Sequence, residues 1–227
     1  MPPAFADRRD AGGRLAERLA EEIGADLATA DVVVLGLPRG GVPVAAEVAG
    51  ALGAGLDVLV VGKVGVPGHE ELALAAVADD GSVALNPTVI AAVGMSDAEM
   101  ADLAGRHAAA LARRAGELRG GRAPVPLDGR TVIVVDDGMA TGATMRVAVD
   151  VVRRRRPARV VAAVPVASVD AVDALSARAD RMVCLLTPAG FRAVGPWYAD
   201  FTQVTDAEVR DLLRAAAESP VQGADDT

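Results

Sequence analysis

Two adjacent carboxylates, Asp136 and Asp137, close the apolar run "TVIVV" and are followed by "GMATGAT". Gly138 and Gly142 allow backbone to come close to a ligand. The free amides of a turn and helix start, with the hydroxyls of Thr141 and Thr144, can surround a phosphate. Adjacent acids at the end of an extended strand point in opposite directions, so they do not build one compact metal cage, but both can accept hydrogen bonds from neighbouring hydroxyls. A Walker loop would require a lysine within GxxxxGK[ST], and a dinucleotide fingerprint would require GxGxxG; neither occurs in this stretch. The aspartates are also adjacent, not two apart as in the DxDxT of haloacid-dehalogenase phosphatases.

Two cations stand in similar positions. Arg39 lies in "GLPRGGVPVAAEVA", where Gly40 and Gly41 open a helical pattern, and Lys63 lies in "GKVGVPGHEELALAAV". Of 23 basic residues Lys63 is the single lysine, which singles it out in a chain that otherwise uses arginine. His69, Glu70 and Glu71 do not form HExxH, and the lone Cys184, in "RMVCLL", reads as a strand thiol; zinc and cysteine chemistry gain no support.

These residues need a scaffold. Apolar runs over 31–41, 57–65, 71–78, 131–138, 159–167 and 181–187 read as strands buried on both faces, of the parallel kind. Helical patterns over 42–53, 96–119, 143–156 and 168–178 alternate with them, which predicts an α/β fold with a doubly wound, mainly parallel sheet. Ser96 with Glu99 forms a capping box for the long helix. His107 and the arginines near it are expected on a solvated or subunit-facing side, and "RRRRP" at 153–157 ends a helix whose dipole its cations favour. One domain over 1–218 is expected, with a tail at 219–227 too poor in apolar residues to order.

A net charge of −8 and a pI near 4.8 argue against broad nucleic-acid or anionic membrane binding. The opening stretch carries no secretion-like apolar run, and none elsewhere approaches the roughly 18 apolar residues of a spanning helix, so a cytoplasmic location is expected.

The acid pair with "ATGAT" resembles the PRPP-binding motif of type I phosphoribosyltransferases: an apolar strand, two acids, a short variable stretch, then T-G-x-T. The resemblance implies that Asp136 and Asp137 take the ribose diol. It makes Gly138, Ala140, Thr141, Gly142, Ala143 and Thr144 the turn and 5′-phosphate cradle. It gives Arg39, Gly40 and Gly41 the pyrophosphate loop, with Pro38–Arg39 as the site of the nonproline cis peptide often found there. Lys63 then belongs to a mobile lid and meets the leaving group. A hood near 1–25 and 187–205 would cover the base, with Trp197, Tyr198 or Phe201 as base-site candidates that either stack on the base or simply pack the hood, and a helical insertion is expected over about 86–123. Mg²⁺ is the implied cofactor, carried by PRPP and reached through water by Asp136 or Asp137. The implied partners are PRPP and an acceptor such as a nucleobase, and a homodimer is compatible with the family.

The wording along nearly the whole chain, "FADRRDAGGRLAERL" included, looks like a bacterial group of predicted phosphoribosyltransferases of unassigned acceptor. One position departs from part of the family. Hypoxanthine and guanine enzymes place an aspartate where Ala140 stands, to handle the base proton. Adenine phosphoribosyltransferase has alanine there and uses a lid glutamate, a part that Glu70 or Glu71 would take. A PRPP sensor and a PRPP hydrolase remain as rival readings.

Overall fold

The computed structural model describes residues 3–27, 30–66 and 69–218. The expected tail at 219–227 and the lid residues Pro67 and Gly68 lie outside the described residues, as do the side chains of Glu70 and Glu71. Five strands, β1 (Val32–Gly36), β2 (Gly55–Val58), β6 (Thr131–Val135), β7 (Arg159–Val166) and β8 (Arg181–Leu186), form a wholly parallel sheet in the order β2-β1-β6-β7-β8.

Alternate side chains leave a strand on opposite faces, and here both faces are apolar. Val34, Ile133 and Val135 point into a core shared with α1 (Arg8–Leu27), α2 (Gly41–Leu52) and α7 (Asp206–Glu218). Val33, Leu35, Val132 and Val134 point into a core shared with α5 (Ala143–Arg154) and α6 (Val169–Ser176). That two-sided burial is why these strands read as continuous apolar runs. From β1 the chain winds outward to β2, and from β6 it winds the other way to β7 and β8. The order therefore reverses between β1 and β6, and the turns at their carboxyl ends open onto the crevice where ligands of such sheets bind.

Residues 57–65 and 71–78 depart from the parallel reading. The first run divides between β2 and β3 (Val61–Val66). The second lies in β4 (His69–Ala78), which pairs antiparallel with β3 and with β5 (Val83–Leu85) in a separate three-stranded sheet. Only two residues separate β3 from β4, whereas a parallel crossover needs about a dozen. The second sheet buries Val64, Leu74 and Val77 under α4 (Asp97–Arg119) and turns another face to α5, so its apolar content matches that of a central strand.

The region 86–123 holds α3 (Pro87–Val93) and the 23-residue α4. Ser96 and Glu99 form the reciprocal cap of α4, and Gly120 closes it in the left-handed conformation. His107 is exposed on it, with Nδ1 2.9 Å from the Leu103 carbonyl. In the "RRRRP" run, Arg153 meets Asp180, Arg155 meets Asp79, and Arg156 meets Asp128.

The chain ends contribute unequally to a hood. Phe5 pairs with Tyr198 and packs with Val166 and Trp197 at the carboxyl edge of the sheet, while α1 belongs mainly to the helical layer over α2, β7 and β8. Of residues 1–25, where the resemblance implies part of a hood, Phe5 lies at this edge of the sheet and α1 packs on α2, β7 and β8.

Candidate active site

Strand β6 ends at Val135, and the acid pair emerges over the crevice. Asp136 Oδ1 accepts from the Asp137 amide at 2.8 Å, and among the described residues no cation pairs with this carboxylate. Burial, with the Asp137 charge beside it, pushes the Asp136 carboxyl well above the usual carboxylate range. Asp137 is also raised by burial, but Arg8 opposes the rise: its Nε donates to Asp137 Oδ2 at 2.9 Å. The Tyr198 hydroxyl donates to the Asp137 carbonyl at 2.5 Å, and burial followed by the Asp137 charge raises the Tyr198 phenol as well.

The turn after β1 closes against this pair. A Cβ on Gly40 would sit 2.0 Å from Asp137 Oδ2, and one on Gly41 would sit 2.6 Å from the Val135 carbonyl. Glycine is required at both places because one loop's backbone rests on the other loop's acids. The Pro38–Arg39 peptide is cis, and Arg39 Nη1 lies 3.7 Å from Asp206 Oδ1 at the start of α7. Arg114 of α4 also binds Asp206, at 2.5 Å through both Nη atoms. One carboxylate thereby links the Arg39 turn to the long inserted helix.

Beyond the acids, Gly138 runs close to the hood: a Cβ there would meet Val194 at 2.7 Å. Gly142 sits at φ 66° and starts α5 with no side chain of its own to cap it, so the amides of the first turn that follow Ala143 lack an intrahelical partner and can meet an anion. Thr141 Oγ1 accepts from the Ala143 amide at 3.3 Å, and Thr141, Thr144 and Ala140 are exposed. The Ala140 carbonyl accepts from Ser168 Oγ at 2.7 Å, which ties the cradle to the end of β7.

Lys63 is exposed on β3. It lines a cavity of about 430 Å³ with Asn86, Ala143, Arg146, Asp150 and Arg178, which brings Lys63 and Ala143 to one space. Trp197 stacks on Phe191 with centroids 6.4 Å apart. Tyr198 is buried against Phe5, and Phe201, 5.0 Å from Tyr198, carries the Arg8 guanidinium 3.9 Å over its ring. Of the three aromatic residues, Tyr198 is thus a packing residue bonded to the acid turn, while Phe201 has one face covered by a cation.

Across residues 8–196 the chain matches the family described as the phosphoribosyl transferase domain. The chain belongs to that family. A Mycobacterium tuberculosis protein (strains CDC 1551 and H37Rv), provisionally named a phosphoribosyl transferase, is 49% identical over 212 residues. That alignment takes in 93% of this chain and 47% of the relative. The chain therefore spans about half the length of the curated relatives it matches. The crystal structure of TT1426 from Thermus thermophilus superimposes with a TM-score of 0.81 at 46% identity, covering 94% of this chain and 98% of that one.

Arg8 and Asp206 escaped the sequence reading, because each meets its site partner only in the fold: Arg8 is 129 residues from Asp137. A local signal existed for both. Asp7 before Arg8 is a helix cap, its Oδ1 accepting from the amides of Arg9 and Asp10. Thr205 with Glu208 repeats the Ser96–Glu99 box and marks the start of α7, a helix outside the four patterns expected from the sequence.

Proposed function

We propose that this domain binds PRPP and transfers its phosphoribosyl group to a nitrogen acceptor, a nucleobase or a similar amine, with release of pyrophosphate. The observation that carries the reading is the contact between the two turns at the strand-order reversal. The acid pair and the Gly40–Gly41 backbone touch, so a ribose held by its diol would have its anomeric carbon near the loop assigned to pyrophosphate. The amides and hydroxyls of 140–144 would hold the 5′-phosphate, and Asp136 and Asp137 the diol.

As the bond from C1′ to the pyrophosphate oxygen breaks, C1′ gains positive charge and the acceptor nitrogen bonds to it, losing its proton to base or solvent. Catalysis then consists of positioning and of neutralising the leaving group by Arg39, Lys63 and loop amides. Among the described residues no group of three or more His, Cys, Asp or Glu is placed to hold a metal. This donor set suits an ion that brings its ligands with PRPP and touches Asp136 or Asp137 through water. Bound there, Mg²⁺ would offset pyrophosphate charge. No helix among the described residues is long and apolar enough to cross a membrane, and the reading places the domain in the cytoplasm.

A PRPP sensor is the second reading, favoured by one observation: Ala140 offers no acid for the base proton, and its carbonyl is already bonded to Ser168. Glu70 or Glu71, next to each other on β4, would supply the missing proton-transfer group in a transferase. The test is incubation with Mg²⁺, PRPP and a panel of nucleobases, with pyrophosphate followed by phosphorus NMR. Release that depends on an acceptor is expected. Release without one indicates a hydrolase, and binding without release indicates a sensor. Lys63→Ala is expected to lower turnover by about a hundredfold, the scale of a lost oxyanion donor, with little change in PRPP affinity. An unchanged rate removes Lys63 from the mechanism.

A further inference from the structure

We propose that Arg8 is a positioning residue for the sugar: it grips one oxygen of Asp137 so that the other faces the ribose, which makes the amino-terminal segment part of the donor site. The inference rests on the PRPP reading of the crevice.

Three contacts fix the guanidinium. Nε donates to Asp137 Oδ2 at 2.9 Å, Nη1 donates to the Thr202 carbonyl at 2.9 Å, and the plane lies 3.9 Å over the Phe201 ring. A planar fork held at two edges and one face has little rotational freedom. The Arg8 and Asp137 side chains are only 11% and 14% exposed, so the bond is shielded from solvent competition. Asp137 Oδ2 is closed in from the other side by Gly40. Among the described residues no other residue donates to Oδ1, which leaves that oxygen for a hydroxyl.

The stretch "FADRRDAGG" becomes legible as the mount for this side chain. Phe5 anchors its start, with its ring 5.3 Å from Tyr198 and its amide donating to the Trp197 carbonyl. The Ala199 and Asp200 amides donate back to the Phe5 and Ala6 carbonyls, so the segment is laced to the hood on both sides. Asp7 caps α1, which sets Arg8 on the first turn. Gly12 lets α1 lie against α2, since a Cβ there would meet the Val44 carbonyl and the Glu47 Cβ at 2.8 Å each. Helix α2 starts at the Gly40–Gly41 turn, so the same docking fixes Arg8 relative to the loop that encloses Asp137.

A staple that only stabilises the hood would affect every ligand alike or none. A positioning role is selective for the sugar. Titration calorimetry with three probes separates them: ribose 5-phosphate, inorganic phosphate for the cradle alone, and inorganic pyrophosphate for the leaving-group loop. Arg8→Gln is expected to weaken ribose 5-phosphate and PRPP by about 10- to 100-fold, the range for a hydrogen bond to a charged group. Phosphate and pyrophosphate should stay within about twofold. Arg8→Lys keeps the charge without the fork and should fall between the two. If Arg8→Gln does not fold, Arg8→Lys decides: a selective loss of ribose 5-phosphate supports the assignment, and wild-type affinity overturns it. Equal losses for all three probes also overturn it, as does a folded Arg8→Gln protein that binds ribose 5-phosphate normally. Failure of the wild-type chain to bind PRPP or ribose 5-phosphate is a different result, and it removes the PRPP reading itself.

Discussion

Two clusters of charge lie in this molecule, and they are built on opposite plans. Beneath the second sheet, Asp57, Arg119, Asp79 and Arg155 alternate in sign. Arg119 Nε meets Asp57 at 2.8 Å, its Nη2 meets Asp79 at 2.7 Å, and Arg155 Nη2 meets the other Asp79 oxygen at 3.2 Å. The remaining capacity goes largely to backbone: Asp57 accepts from the amides of Val58 and Val125, and Arg119 donates to the Val58 carbonyl. Arg155 Nε, 2.6 Å from Asp80 but without hydrogen-bond alignment, is the one loose end. Burial pushes Asp79 up while both arginines pull it down, so each charge has its answer within the cluster. At the crevice there is one arginine for two acids: Arg8 bonds Asp137, and among the described residues no cation pairs with Asp136. A closed cluster of this kind holds β2, β4, α4 and the end of α5 together, whereas an open one keeps lone pairs for a ligand. Unmet hydrogen-bonding capacity, more than burial or pKa, distinguishes the proposed site from the fold's own ion pairs.

Breaking the closed cluster should have the largest effect. Arg119→Met strands Asp57 and Asp79 without a cation between them. It is expected to cost about 3–5 kcal/mol, or about 6–20 °C in melting midpoint by calorimetry; a loss under about 2 °C would show that the two clusters do not differ in kind. The open cluster should respond in function instead. Asp137→Asn is expected to weaken PRPP about 10- to 100-fold by titration calorimetry, with a melting midpoint within about 2 °C of wild type. Gly40→Ala pushes a methyl onto Asp137 Oδ2 and should weaken PRPP and pyrophosphate together, by about tenfold, because it moves both loops.

The smallest effect is a gain. Asp136 has a folded pKa raised above its unfolded value, so the folded chain holds that proton more tightly. Its contribution to stability is full below the unfolded pKa and is lost as pH rises toward the folded one. Asp136→Asn removes that loss. The variant should melt about 2–4 °C above wild type at pH 7, with the gain vanishing near pH 4, while PRPP binding falls. A variant less stable than wild type at pH 7 would mean that the Asp136 charge is compensated after all.

The crevice was largely legible in the sequence because its parts are local. The strand, the acids and "ATGAT" are contiguous, and "PRGG" immediately follows another strand, so chain direction alone aims them at one edge. Lys63 stands out in the sequence as the single lysine, and the structure brings it to a cavity that Ala143 also lines. The second sheet was misread because "ELALAAVA" is buried by α4 and α5 much as a central strand is buried by its helices, and apolar content does not encode strand direction. The cation that meets Asp137 was legible only as a residue on a capped helix start. Arg8 is one of 22 arginines, and only the close approach of α1 to α2 gives it its address.

The contact between Gly40 and Asp137 also limits how this chain can change. A site that takes new acceptors needs positions where side chains vary freely, and residues 40 and 41 offer none, since any added atom meets a carboxylate or the Val135 carbonyl. Variation has to enter elsewhere, at an exposed position such as Ala140, since Phe201 carries the Arg8 guanidinium on its ring. Mutational libraries should therefore leave the glycine turn and the residues that hold Arg8 fixed and spend their diversity at exposed positions such as Ala140.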